Sequence, residues 1–454
     1  MCRMASTLLR YFTKCSISLS VVAAGLLSRS AWAEEESTDS ASSDGDVASE
    51  VLVVTATRSP VPLGDAPVAV EVIGRREIEQ SGAESLAELL EEHPGVDVSY
   101  TVLGAAVRLQ GLESDHVLIL VNGGRVLGSK GGVIDLDRYV VENIERVEIV
   151  KGPNSALYGS DAMGGVIHII TRQASEPLVA RVRGRMGTRT MSDSGAAIDG
   201  ISRFDGAVGL EFKDGKRSGV LTGGAHYRDA FDLDPDDAAT TGSELSQYEF
   251  SGDAHLDSGA NVRTKFHVGY LQRKLSGVDL SAANAFFDRT NMIEEFRAAL
   301  QPSWKWSEAL LFTSDASVSL YRDQYAADQR GSTALDKYEE TKEGLAELNL
   351  QALWSKSAHQ FTFGISGLVQ NMAADRLVVD EVQRQRLALY AQDVWQVGGR
   401  GSFLTIVPGG RLDIDSAFGT HATPKVAFRY DLLDSTLLRA SYGWGYRAPA
   451  FKEL

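Results

Sequence analysis

Cysteine is almost absent from this chain of 454 residues, which carries only Cys2 and Cys15. Both fall in a segment read below as a cleaved secretion signal, so cysteine can build no disulfide framework, zinc site or catalytic thiol in what remains. Basic charge is also short: 45 Lys and Arg stand against 61 Asp and Glu, for a net charge of −16. That balance argues against nucleic acid as a partner, because phosphate binding needs a cationic surface. Proline is scarce at 11 and aromatics make up 8%, whereas glycine reaches 44. This is the composition of a folded, turn-rich protein rather than a disordered or collagenous one. Nowhere do 18 apolar residues follow one another, so any membrane crossing in the body of the chain has to be made by strands. Enzyme signatures fail as well. There is no G-x-S-x-G, H-E-x-x-H or G-x-x-x-x-G-K, and Gly443 to Ala448 fits G-x-G-x-x-A only formally, meeting Pro449 instead of opening a helix. No catalytic residues are expected.

What is present begins with residues 1–33, which read as a signal peptide. Arg3, Arg10 and Lys14 precede the apolar run Ile17 to Leu27, and Ala31-Trp32-Ala33 supplies an A-x-A cleavage site. Residues 34–50 hold seven acids and no base, too polar to bury anything, and should form a disordered acidic tail. Directly after it stands Val51-Leu52-Val53-Val54-Thr55-Ala56. A β-prone run at the end of such an arm suits addition to another protein's sheet edge, though it reads equally well as the first strand of the next domain.

Residues 58–172 read as a small α+β unit. Ala69 to Ile73 alternates as a strand, and Ser81 is expected to cap a helix whose apolar face is Ala83, Leu86, Leu89 and Leu90, stopped by Pro94-Gly95. Strands should follow at Val107 to Leu109, Val117 to Val121, Val147 to Val150 and Val166 to Ile170, separated by turns such as Asn122-Gly123-Gly124. From residue 173 the texture changes to long segments of period two. Phe361, Phe363, Ile365 and Val369 alternate with Gln360, Thr362 and Ser366; Leu310, Phe312, Ala316, Val318 and Leu320 alternate with Thr313, Asp315, Ser317 and Ser319. About a dozen such segments, some ending in aromatics such as Tyr270, Tyr321 and Trp444, follow a secretion signal. That is the pattern of a transmembrane antiparallel β-barrel whose polar partners face a lumen, at roughly 9 to 11 residues per crossing.

These residues carry a resemblance. Val51 to Ala56 is similar to the TonB box, the energy-coupling segment of TonB-dependent outer-membrane receptors. Leu89-Leu90 with Pro94-Gly95-Val96, Val107 to Leu112, and His116 to Gly123 resemble their plug motifs. So does Ile144-Glu145-Arg146-Val147-Glu148-Ile149-Val150-Lys151-Gly152-Pro153, running into Ser155 to Gly159 and Gly164 to Thr171. Tyr390-Ala391-Gln392-Asp393 and Tyr446-Arg447-Ala448-Pro449 resemble barrel motifs.

The resemblance implies a box at residues 51–57, a plug domain at 58–172 and a barrel at 173–454. The family's barrel has 22 strands, so the one here is expected to be incomplete, with its C-terminal part missing. It further implies a location in the outer membrane of a Gram-negative bacterium, with outer-membrane lipid and TonB as partners. TonB, powered by the inner-membrane proton gradient, would pair with the box and drive import of a scarce metal chelate. A ferric siderophore is the first expectation, cobalamin or haem the alternatives, and a passive pore or adhesin the alternative of another class.

By analogy the plug loop Leu127-Gly128-Ser129-Lys130 is expected to face the ligand, against the plainer reading of a glycine-rich turn. No cofactor is expected to be required. Asp232, Asp234, Asp236 and Asp237 could bind calcium through hard oxygen ligands, although a solvated, self-repelling loop is favoured because the spacing is not an EF-hand.

Overall fold

The computed structural model describes residues 52–53, 55, 58, 61–101, 104–130, 133–188, 202–232, 239–281, 285–399, 403–433, 436–449 and 451. Two short strands come first, β1 (Leu52–Val53) and β2 (Val61–Pro62), paired antiparallel. The plug follows with β3 (Val70–Gly74), β4 (Val96–Thr101), β5 (Gly104–Leu109), β6 (Val117–Val121), β7 (Gly124–Arg125), β8 (Ile144–Lys151) and β9 (Gly165–Thr171). Five of these form one sheet in the order β3-β8-β9-β6-β7, with only β6 and β9 parallel. β6 and β9 are buried along their whole length, which is why they read as apolar runs, interrupted in β9 by His168, rather than as alternating ones.

One face of the sheet packs on the helix Leu86–Glu91, whose Leu86, Leu89 and Leu90 are fully buried. Each such leucine contributes about 2 kcal/mol on transfer from water. Ser85 caps this helix, its hydroxyl accepting the Glu88 N–H at 3.3 Å. Ser81, expected in that role, instead closes a separate helix, Arg75–Ser81, which Gly82 stops at φ 72°. The single amphipathic face seen in the sequence conceals this break, because the two helices share one core.

The remaining strands are β10 (Leu178–Gly187), β11 (Arg203–Asp214), β12 (Arg217–Arg228), β13 (Glu244–Ser258), β14 (Val262–Leu280), β15 (Phe286–Ser307), β16 (Leu310–Gln329), β17 (Lys337–Lys356), β18 (His359–Ala374), β19 (Val382–Gln396), β20 (Leu404–Asp415), β21 (Gly419–Leu433) and β22 (Thr436–Gly443). They form one antiparallel sheet of 13 strands in chain order. Among the described residues β10 and β22 each have a single neighbour, so this sheet is open.

Alternation holds as expected: Phe363 and Ile365 point outward, each 48% exposed, while Thr362 and Ser366 are buried on the inner side. Length differs from expectation. β15 runs for 22 residues and β16 and β17 for 20, about twice what a tilted strand needs to cross the hydrocarbon. Only the crossing part has an apolar outer face, so only that part stands out in the sequence. In β17 the end beyond it reads Lys337 to Glu343, polar on both faces.

Hairpins at one end of the sheet are wide, such as 229–243; at the other end they are tight, such as 215–216 and 308–309. Exposed outward aromatics cluster near the tight turns. Trp304 meets Trp306 at 4.7 Å, Trp354 stacks on Phe361 at 5.5 Å, and Phe403 lies against Tyr430 at 5.5 Å. This is the girdle an interfacial belt requires. Tyr321, expected to end its strand in such a belt, lies mid-strand and turns inward, 3% exposed. Its odd-numbered register places it with the lumen residues Ser317 and Ser319, and it packs on the plug instead of lipid.

Candidate functional site

Two regions of the plug meet the sheet, one near the tight turns and one near the wide hairpins. At the first, β1 folds back along β2, and Val53 is completely buried with Ala66, Val68, Val150, Val407 and Ala427. Of the residues expected to form the coupling segment, Val51, Val54 and Ala56 lie outside the described residues. Thr55 is buried and fully engaged. Its N–H and hydroxyl both donate to Glu148 Oε2, at 3.0 and 2.6 Å. Its hydroxyl also meets His168 Nδ1 at 3.0 Å, and its carbonyl accepts from the Tyr158 hydroxyl at 3.2 Å. Arg146 holds the other oxygen of Glu148 at 2.9 Å. Arg58, three residues on, lies between the rings of Tyr158 and Tyr390 at 4.6 and 4.9 Å and donates to Asn349 at 3.3 Å.

Hydrogen-bond geometry fixes the state of His168. Its Nε2 is 2.9 Å from the Gly123 N–H, which can only donate, so Nε2 is the acceptor. The ring is therefore neutral with its proton on Nδ1, directed at Thr55. Burial pushes the imidazole down to about 4, against the attraction of Glu148 and with help from Arg146 and Lys265. Burial alone would raise the Glu148 carboxyl; the two donations from Thr55 and the Arg146 guanidinium beside it outweigh burial and hold the group below its usual range.

Gly123 belongs to a tight turn, Asn122 at φ 48° and Gly123 at φ 88°, the left-handed pair that an Asn-Gly hairpin supplies without strain. The Asn122 side chain bridges to Thr171 at 2.8 Å and to His267 on the wall at 3.0 Å, and Gln301 donates to the Asn122 carbonyl at 2.7 Å. A cavity of about 580 Å³ lies beside this turn, bordered by Arg58, Arg146, His168, Lys265 and Asp315.

Near the wide hairpins the plug is held by charge. Arg138 and Glu295, each 1% exposed, pair at 3.7 Å, and Arg138 also donates to the Leu127 carbonyl. Arg273 on β14 reaches Asp137 at 3.0 Å, and Arg125 pairs with Glu347 on β17 at 3.6 Å. The loop Leu127 to Lys130 packs here. Gly128 has φ 84° and a Cβ added to it would sit 2.2 Å from the Tyr321 ring, so glycine is required. Leu127, Gly128 and Ser129 border a cavity of about 160 Å³ with Asp115, Arg384 and Arg447. That is smaller than the several hundred Å³ of a typical ligand pocket. Lys130 points elsewhere, its ammonium 2.7 Å from Asp323 on the wall.

Among the acidic residues considered for calcium, Asp232 accepts from the Thr241 hydroxyl at 3.3 Å, and Asp234, Asp236 and Asp237 lie outside the described residues. No cluster of three metal-ligating side chains occurs among the described residues. Sequence reasoning missed the Thr55, Glu148 and His168 constellation. Its one signal was a polar His168 inside the apolar strand β9, while its partners lie 113 and 20 positions away.

Two family models match this architecture: the TonB-dependent receptor plug domain over residues 62–166 and the TonB-dependent receptor-like β-barrel over residues 199–454. The chain belongs to the TonB-dependent receptor family. It is 27% identical over 438 residues to the vitamin B12 transporter BtuB of Vibrio vulnificus (strain CMCP6), covering 89% of this chain and 64% of that protein. Against the same transporter of Photobacterium profundum the identity is 26%, covering 89% and 63%. The chain thus spans less than two thirds of the length of these relatives. In fold it resembles the siderophore receptor PirA from Acinetobacter baumannii, with a TM-score of 0.68 at 19% identity, covering 84% of this chain and 61% of that one. A mutant ferric enterobactin receptor PfeA from Pseudomonas aeruginosa gives 0.70 at 16%, covering 87% and 64%.

Proposed function

We propose that the full receptor to which this chain corresponds imports a scarce metal chelate across the outer membrane of a Gram-negative bacterium, with TonB pulling on residues 51–56. The observation that carries this reading is the coupling segment itself. β1 is paired with β2 and anchored by the buried Val53 and Thr55 on a plug that is pinned to the wall elsewhere. A passive pore or an adhesin has no use for a strand stored in this way, whereas a machine driven from the other membrane needs a segment that can be drawn out and paired. Sequence kinship with vitamin B12 transporters favours cobalamin over the ferric siderophore expected first, and haem is the third candidate.

The test is uptake and binding by the full-length receptor with residues 51–56 deleted, using labelled cobalamin, a ferric siderophore panel and haem. One ligand should bind with unchanged affinity while its uptake disappears. Uptake unaffected by the deletion would refute energy coupling, and binding of none of the three would refute the ligand class.

A further inference from the structure

The outward face of the sheet carries a cluster that neither the plug nor a solute in the lumen can reach. On β17 every second residue from Gly344 to Trp354 is apolar and turned outward, and Lys342 and Lys356 bracket the series. Ten residue steps of about 3.3 Å, tilted by about 40°, rise about 25 Å, the height of an apolar band against lipid. The two bracketing lysines therefore stand at the two water boundaries, and they differ. Lys342, toward the wide hairpins, meets Glu340 at 2.5 Å, and Glu340 meets Arg322 at 2.7 Å. Lys356, beside the tight turn 357–358, makes no ion pair among the described residues; its ammonium lies 5.6 Å from the Trp354 ring.

Strand pairing sets Lys356 opposite His359 and His359 opposite Trp395, with Trp354, Phe361 and Asp393 in the next row of the same face. Side chains opposite one another in such rows are neighbours, about 5 Å apart at Cβ. The His359 ring stacks on Phe361 at 5.4 Å and on Trp395 at 5.5 Å, and its Nδ1 meets Asp393 Oδ2 at 2.7 Å. Stack and carboxylate fix the ring and leave Nε2 without a protein partner among the described residues. One outward position further into the band, Ala352 stands between Phe312 and Phe363. A methyl group between two rings leaves a trough, which belongs to a hollow of about 670 Å³ bordered also by Trp304 and Ile365.

We propose that this cluster is a phospholipid site: Lys356 and His359 hold the phosphate of a lipid in the leaflet on the side of the tight turns, and an acyl chain lies over Ala352 in the trough. The order of groups carries the inference. From the water boundary inward the face presents basic side chains, then aromatic walls, then an apolar hollow, which is the order in which a phospholipid presents phosphate, glycerol and chain. A soluble phosphate compound would match only the first part, and a purely apolar partner only the last.

The inference needs the sheet to face a bilayer and is independent of transport. Its test is native mass spectrometry of the full-length receptor, stripped of lipid in detergent and titrated with dioleoylphosphatidylglycerol. Lys356→Gln should weaken binding of the first lipid about fivefold, and His359→Gln about threefold. Ala352→Phe fills the trough without touching a charge and should weaken it about threefold. Lys274→Gln removes an outward cation of β14 near the wide hairpins and should bind as the parent does. Dioleoylglycerol, which lacks the phosphate, should bind about tenfold more weakly, and glycerol 3-phosphate should not displace the bound lipid. All four substitutions change side chains on the lipid-facing side, so the folded barrel should persist, as its electrophoretic mobility before heating will report. Equal losses in Lys356→Gln and Lys274→Gln would reduce the effect to general charge attraction and overturn the proposal. Unchanged binding in Lys356→Gln, or displacement by glycerol 3-phosphate, would overturn it as well.

Discussion

Two regions of the plug, its contact with the wall near the wide hairpins and the pocket that holds Thr55 near the tight turns, are built from different chemistry. Near the wide hairpins the contacts are ionic and largely buried: Arg138 with Glu295, Arg273 with the half-buried Asp137, Arg125 with Glu347. Near the tight turns Thr55 is held by neutral donors and one carboxylate, all of them supplied by the plug itself. Breaking one member of a buried ion pair strands a charge and costs about 3–5 kcal/mol, whereas a single hydrogen bond of Thr55 is worth about 1 kcal/mol net, or about 1.5–3 kcal/mol where it goes to the Glu148 carboxylate. The first arrangement strands a whole charge when it is broken; the second comes apart one hydrogen bond at a time. If residues 51–56 couple to TonB as proposed, a plug held firmly at one region and less firmly at the other would release them without leaving the barrel.

The largest expected effect comes from removing the firm contact. Glu295→Ala leaves the Arg138 guanidinium buried without its carboxylate and should destabilise the docked plug by about 3–5 kcal/mol, read as a lower midpoint in denaturant. An unchanged midpoint would erase the contrast between the two regions. Next comes Gly128→Leu, which forces a left-handed residue against the Tyr321 ring and should cost about 2–3 kcal/mol. Pairing it with Tyr321→Ala should recover part of that loss in a double-mutant cycle, which separates the clash from the backbone strain.

Val53→Ala, at the lightly held region, should cost about 1–2 kcal/mol in docking of the segment and nothing in the global midpoint, visible as faster amide exchange of residues 51–58. Should the global midpoint fall as well, the coupling segment would belong to the same cooperative unit as the plug core. At the small end, Glu308→Gln removes the exposed pair with Lys305 in a tight turn and should leave the midpoint unchanged, setting the noise level for the other three.

Much of the fold was legible because burial leaves a periodic trace. β6 and β9 are covered on both faces and appear as Val117 to Val121 and Val166 to Ile170; the sheet strands are covered on one face and alternate. Failures came where one pattern had two causes. Tyr321 is aromatic because it fills the space above Gly128, yet in the sequence it looks like a belt residue at the end of a strand. Ser81 precedes an apolar helix face, yet the helix-stopping Gly82 makes Ser85 the cap. The loop Leu127 to Lys130 was singled out by analogy with the family. What it touches was not, because Asp323 and Tyr321 arrive from a strand nearly two hundred residues later.

The sequence by itself determined the order of parts, the alternation that gives each strand a dry and a wet face, and the motifs that place the chain in its family. Those properties are local, set by side-chain period and turn chemistry over a few residues. Only the tertiary structure decided that Thr55 is stored against Glu148 and His168, that His168 is neutral, and that Arg138 finds its carboxylate on β15. The reason is physical: each of these rests on removing a group from water beside a partner distant in the chain, and no local pattern encodes which partner the fold will bring.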